Sequence, residues 1–159
     1  MQLTLALRLV GSWEPFSKLP QAAQASLAES LQALQLRPGQ KLYDYDALPP
    51  GVALLAKGQM RLLALDEQDV PFTLRRLSAG DTAGAIGLLR GTTGQALAAS
   101  QPSQLWLMPQ QAFLKAVLEH PSLQQELAQP NFEELYAVAA ASPSPRIPRR
   151  RDLRDWASN

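Results

Sequence analysis

The chain has 159 residues, 46% of them hydrophobic, a net charge of +1 and no cysteine. That suggests one domain with a tail and a core of real size, and it excludes disulfides, thiolate metal sites and thiol catalysis. Residues 146–159 carry five Arg against two Asp (+3), and the other 145 residues carry ten Lys and Arg against twelve Asp and Glu (−2), so the charge gives no sign of a nucleic-acid face.

The first ten residues are apolar, but they lack a basic leader and are interrupted by Arg8, so they read as a strand or docking segment rather than a signal peptide. No run reaches the ~18 uninterrupted apolar residues of a membrane span. Residues 13–20 form a loop in which Trp13 and Phe16 are expected in a core or clasp, as is Trp106 further on. A helix is predicted over residues 21–33, because Ala23, Leu27, Leu31 and Leu34 recur at three- and four-residue steps.

The pattern then changes to strands. Pro38 and Gly39 signal a turn, residues 41–45 a short strand, and Pro49, Pro50 and Gly51 another turn. Residues 52–57 and 60–65 read as strands joined in a hairpin at Gly58. Asp66, Glu67, Gln68 and Asp69 make a polar tip, and residues 70–77 alternate, with Val70, Phe72, Leu74 and Leu77 inward. Residues 95–100 and 105–108 are further strands. Pro109 suits the first turn of a helix over 110–119, which His120 and Pro121 end. Helical stretches are expected over 122–127 and 132–141.

Short, evenly spaced strands between helices indicate a mainly β fold: a roll or jelly roll of about eight strands with flanking helices. The expected divisions are a segment over 1–14, the roll with its helices over 15–141, and a Pro- and Arg-rich linker or tail over 142–159. A linker of that kind hints at a piece of a longer polypeptide.

Several residues have tempting chemistry and a plainer alternative. His120, the only histidine, reads as a helix-end residue, with no Ser or Asp at telling spacing. The acidic clusters at Asp44 and Asp46 and at Asp66, Glu67 and Asp69 lack the twelve-residue calcium-loop pattern and read as solvated loops. No catalytic set and no metal-ligand set stands out.

The most informative stretch runs from Leu77 to Leu89: a strand ends at Gly80 and Asp81, Gly84 follows, and Ala85, Ile86, Gly87, Leu88 and Leu89 form an apolar helical turn. Together with Pro38–Leu42, the Gly58 turn, and Phe113, Leu114 and Pro121 after the roll, it resembles the cyclic-nucleotide-binding domain family over about residues 15–127. The resemblance implies a phosphate cassette at Gly80, Asp81, Gly84, Ala85, Ile86, Gly87, Arg90 and Gln95. In the family, backbone N–H groups and an Arg hold the cyclic phosphate, and a Glu holds the ribose hydroxyl. Here the Glu position is Ala85, and the Arg position falls on Gly94 or Gln95. Arg90 lies five residues past Ala85, near the end of the short helix, and would need a rearranged loop. Two missing charge-assisted bonds cost roughly 3–6 kcal/mol, a hundredfold to ten-thousandfold in affinity. The expectation is therefore no cofactor and no cAMP or cGMP binding, with the glycines kept for a turn and for helix packing.

More narrowly, the run from Lys41 to Pro49, the run from Gly58 to Leu63, Thr73 to Leu77, and Leu89, Arg90 and Gly91 resemble the version of this domain at the N-terminus of cyanobacterial peptidase-containing ABC exporters. That implies a non-catalytic regulatory or docking domain beside an exporter. Its setting would be cytoplasmic, with membrane association only through the transporter. Its partners would be adjacent domains or a protein met through Arg149, Arg150, Arg151, Arg154 and Trp156, with a homodimer as a further possibility, and neither nucleic acid nor a membrane span of its own. The chain itself has no peptidase Cys and no phosphate-binding ATPase loop. Two alternatives stand beside this reading. One is a structural interaction module with no small ligand, and the other is a truncated transcription regulator of the activator-protein type.

Overall fold

The computed structural model describes residues 2–127. In chain order these form helix α1 (Gln2–Ser12), a 3-10 turn (Phe16–Lys18) and helix α2 (Gln21–Ser30). Strands β1 (Gln32–Leu36), β2 (Lys41–Tyr43), β3 (Gly51–Lys57), β4 (Met60–Leu65), β5 (Pro71–Leu77) and β6 (Thr82–Ala83) follow. Helix α3 (Ala85–Arg90), strands β7 (Gln95–Ala99) and β8 (Ser103–Pro109), and helices α4 (Gln110–Glu119) and α5 (Pro121–Leu127) complete the fold. The expected helix over 132–141, the tail and its Arg and Trp cluster lie outside the described residues.

Two four-stranded antiparallel sheets face each other, in the orders β1-β8-β3-β6 and β2-β7-β4-β5. Leu105 pairs with both Leu34 and Leu55 in the first sheet, and Leu62 with Leu97 and Arg75 in the second. Alternation turns Leu55, Leu62, Leu97 and Leu105 into the interior, where they are at most 2% exposed. This is the mainly β roll with flanking helices that the turn spacing predicts.

A second cluster lies under the helices. Ala6 and Val10 of α1, Trp13, Phe16, Leu27 of α2, Phe113 and Val117 of α4, and Leu123 of α5 are buried together. Phe16 meets Trp13 at 5.2 Å and Phe113 at 6.2 Å, both edge to face, the arrangement that ring quadrupoles prefer. Trp13 and Phe16 are thus core residues, and Trp106 is half-buried against the same cluster.

Four local expectations are corrected. Residues 2–12 form a helix and not a strand. Their alternating leucines mimic a strand, but Ala6 and Val10, four residues apart, find a core that only a helix can reach. The predicted helix over 21–33 stops at Ser30, because Gln32–Leu36 pairs with β8 and tertiary hydrogen bonding overrides the helical spacing of Leu31 and Leu34. β3 and β4 are consecutive but lie in different sheets, so the Gly58 turn is a corner between sheets and not a hairpin. Gly58 has φ +101°, and a Cβ there would run into Ser103 and the Pro102 carbonyl. Finally, Val70 points outward at 48% exposure and precedes β5, while a bulge opposite Leu62 and Leu63 shifts the alternation so that Leu77 alone of the four is fully buried.

Candidate functional site

The Gly80 and Asp81 turn closes on itself. The Asp81 carboxylate accepts from the Ser78 N–H at 2.8 Å, and the Asp81 N–H donates back to the Ser78 carbonyl at 3.0 Å. Across to β3, the Gly80 N–H donates to the Leu55 carbonyl at 2.8 Å, and the Leu55 N–H to the Asp81 carbonyl at 3.0 Å. Both residues are exposed. The turn therefore locks the end of β5 to β3, and its carboxylate is engaged by the backbone.

Gly84 caps α3 at φ +107°, and an added Cβ would lie 2.6 Å from the Gly51 carbonyl oxygen. One turn on, a Cβ at Gly87 would sit 3.4 Å from Pro49 and from the Thr92 carbonyl. The two glycines let α3 lie flat on the Pro49–Gly51 turn. Ile86 and Leu88 are buried, Ala85 and Gly87 half-buried, and Arg90 exposed at the last turn before Gly91, which ends the helix in the left-handed region. The Thr92 N–H then donates to the Gly87 carbonyl at 3.0 Å, and the Gly94 N–H to the Tyr45 carbonyl at 2.9 Å.

These contacts shape a cleft lined by Tyr43, Ala47, Pro49, Ile86, Gly87, Thr92, Thr93 and Gln95. Its cavity volume is about 10 Å³, room for about one water molecule. Of the expected site residues, Ile86, Gly87 and Gln95 meet here. Gly80, Asp81, Gly84, Ala85 and Arg90 do not line it. None of the eight lining side chains carries a formal charge. Spacing within the cassette gave no sign of Tyr43, Ala47 and Pro49. Tyr43 and Ala47 come from the β2 side of the roll, which pairs with β7, and Pro49 comes from the turn into β3, against Gly84 and Gly87.

The remaining singled-out residues sit as ordinary structure. His120 caps α4, its N–H donating to the Ala116 carbonyl at 2.9 Å. The Asp66 carboxylate accepts from the Gln68 and Val70 N–H groups at 2.8 and 2.9 Å, forming the tip turn. Asp44 is held below the usual carboxylate range, first by the Tyr45 N–H at 2.8 Å and then by Lys41 at 3.2 Å. No group of three or more His, Asp or Glu residues suited to a metal ion occurs among the described residues. No helix among them is long and apolar enough to cross a membrane.

A family model described as the cyclic nucleotide-binding domain matches residues 33–120. Among solved structures, the sensor domain of the transcriptional regulator DNR from Pseudomonas aeruginosa superposes with TM-score 0.69 at 18% identity, covering 79% of this chain and 85% of that one. The regulatory subunit of a cAMP-independent protein kinase A from Trypanosoma cruzi, bound to guanosine, gives 0.70 at 14%, covering 85% of this chain and 47% of that one. The regulatory domain of Toxoplasma gondii protein kinase A, with cAMP, gives 0.67 at 12%, covering 79% and 50%. The chain thus spans about half the length of the kinase regulatory subunits it matches. No curated protein matches it significantly.

Proposed function

Because this chain belongs to the cyclic nucleotide-binding domain family, we propose that it is a non-catalytic regulatory or docking domain whose nucleotide cassette has become a structural joint. The observation that carries this reading is the uncharged cleft of about 10 Å³ at α3. A drug-sized ligand needs a pocket of roughly 300–1,000 Å³. A cyclic phosphate entering a site without a facing cation would give up its hydration with no charge to replace it. Ala85, and Gly94 or Gln95, supply neither the carboxylate nor the guanidinium that the family's cassette uses.

The finer reading places this domain beside an ABC-type exporter, on the cytoplasmic side, with its contacts to neighbouring domains or to a protein partner made through Arg149, Arg150, Arg151, Arg154 and Trp156. It is supported by the sequence resemblance at Lys41 to Pro49, Gly58 to Leu63, Thr73 to Leu77 and Leu89 to Gly91.

Thermal unfolding with and without millimolar cAMP, cGMP, cyclic dinucleotides, ATP, phosphate and guanosine tests the structural-joint reading. A ligand at 100 times its Kd adds about 2.7 kcal/mol to the folded state, several degrees of Tm for a chain of this size. The expected result is no shift with any of them. A clear shift with any of them overturns the structural-joint reading.

A further inference from the structure

At the end of β3 away from α3, three turns meet: the β1–β2 turn, the corner between β3 and β4, and the β7–β8 turn. Their backbones are tied together. The Gly39 N–H donates to the Ala99 carbonyl at 2.7 Å, the Ala99 N–H to the Gln40 carbonyl at 2.9 Å, and the Ser100 N–H to the Gln59 carbonyl at 2.9 Å. Ser103 is buried, and its hydroxyl sits 2.8 Å from the Gln101 carbonyl and 3.1 Å from the Gln59 carbonyl. Beside these turns lies a cavity of about 580 Å³, open to solvent. Its size falls within the roughly 300–1,000 Å³ of small-molecule sites, and its walls are fixed before any ligand arrives.

Those walls are polar. Sheet register sets Lys57 opposite Gln104 and Gln104 opposite Gln35, so an ammonium and two carboxamides stand in one row across three strands. All three are exposed, on the face away from the buried Leu55 and Leu105. Arg37 stands two residues beyond Gln35, in the turn after β1. Its N–H donates to Gln40 Oε1 at 3.0 Å, which leaves Gln40 Nε2 as a further donor. Arg37 and Lys57 spring from β1 and β3, two strand spacings apart, about 10 Å. Neither makes an ion pair among the described residues, and none of the described residues lining the cavity is acidic.

Two separate cations with amides between them fit a ligand that is negative at both ends. Each cation stands alone, so each suits a singly charged carboxylate, which a guanidinium meets with two parallel hydrogen bonds. A phosphate dianion calls for donors converging on one point, whereas the N–H groups of Arg37, Gly39 and Gln40 are already engaged within the turns. We propose that this cavity is a binding site for a small dicarboxylate, with one carboxylate on Arg37, the other on Lys57, and the Gln35 and Gln104 carboxamides donating to the ligand's oxygens. The inference goes beyond the structural-joint reading and does not rest on it. The cavity shares no lining residue with the cleft at α3, and the two lie at opposite ends of β3, since Gly51 abuts Gly84 and Lys57 lines the cavity.

Isothermal titration and NMR of the full chain at constant ionic strength test it. The probes are the linear dicarboxylates from succinate to suberate, with butyrate as the singly charged control. The expected result is a preferred chain length that binds about tenfold or more tighter than butyrate and moves the side-chain amide signals of Gln35 and Gln104. R37Q and K57Q, both at exposed positions, leave Tm unchanged and each lower that affinity roughly tenfold, the loss of one charge-assisted contact. Equal affinity for butyrate and every dicarboxylate overturns the proposal. So does affinity that survives R37Q/K57Q, or no binding at millimolar concentration. Tighter binding of an oligoglutamate peptide than of any dicarboxylate also overturns it, and assigns the groove to an acidic protein segment.

Discussion

The helical cluster is held by aromatic edges drawn from both ends of the described chain, whereas the roll interior is aliphatic apart from Tyr43 and comes from strands alone. In the first, Trp13, Phe16 and Phe113 bring residues about a hundred positions apart into one stack. In the second, Leu55, Leu62, Leu97 and Leu105 meet through sheet register. The cassette has a foot in each: Ala83 belongs to the roll cluster and Leu88 to the helical one. Between them stand Gly84 and the Pro49–Gly51 turn. This gives the glycines of the cassette a role that needs no nucleotide. They let one short helix bridge two cores at close approach, and that role survives the replacement of a charge by Ala85.

The largest break of this comparison is Phe113→Ala. Losing a buried ring that also anchors Phe16 costs about 3–5 kcal/mol, a fall in Tm on the order of 10 °C. Calorimetry would measure it, and a fall of under 3 °C would mean that the stack is not the anchor. Leu62→Ala, in the middle of the roll, costs about 2–5 kcal/mol. The two losses should add within about 0.5 kcal/mol in the double variant, as separate clusters require; a larger coupling would merge them into one core.

Gly84→Ala probes the joint itself. It puts a Cβ against the Gly51 carbonyl at a positive φ and should cost roughly 1–3 kcal/mol. Gly80→Ala, at an open turn with nothing within 4 Å, carries only the strain of its φ of +97° and should cost less. Urea titration of both ranks them, and the opposite order would remove the joint from α3.

The smallest effect belongs to Asp44. Its lowered carboxyl contributes stability above the ordinary aspartate range and loses it as the pH falls through the folded-state pKa. The group is exposed, so Asp44→Asn should lower Tm at pH 7 by little or nothing, and any deficit should vanish on the acid limb of a melt series, where the wild-type carboxyl is itself protonated.

Much of the fold is legible in the residues. Strand alternation and turn chemistry mark six of the eight strands, all but β1 and β6, because side chains facing two environments must alternate and because Gly, Pro and Asp enable turns locally. The cassette is legible for the same reason: Gly80, Gly84 and Gly87 mark a turn and a close approach whatever the ligand. The cleft is not, since Tyr43 and Ala47 reach it from β2 through its pairing with β7, and Pro49 from the turn into β3 on which α3 lies.

By itself, then, the sequence determines the mainly β class, most of its strands, the helical flanks, the cassette and its missing charges, for these are properties of neighbouring residues. Tertiary structure decides that residues 2–12 are helical, that β1 takes over from α2 at Gln32, and that Gly58 turns between sheets. A periodic pattern says how many faces a segment has. Which face is buried, and which strand supplies its hydrogen bonds, depends on partners far along the chain.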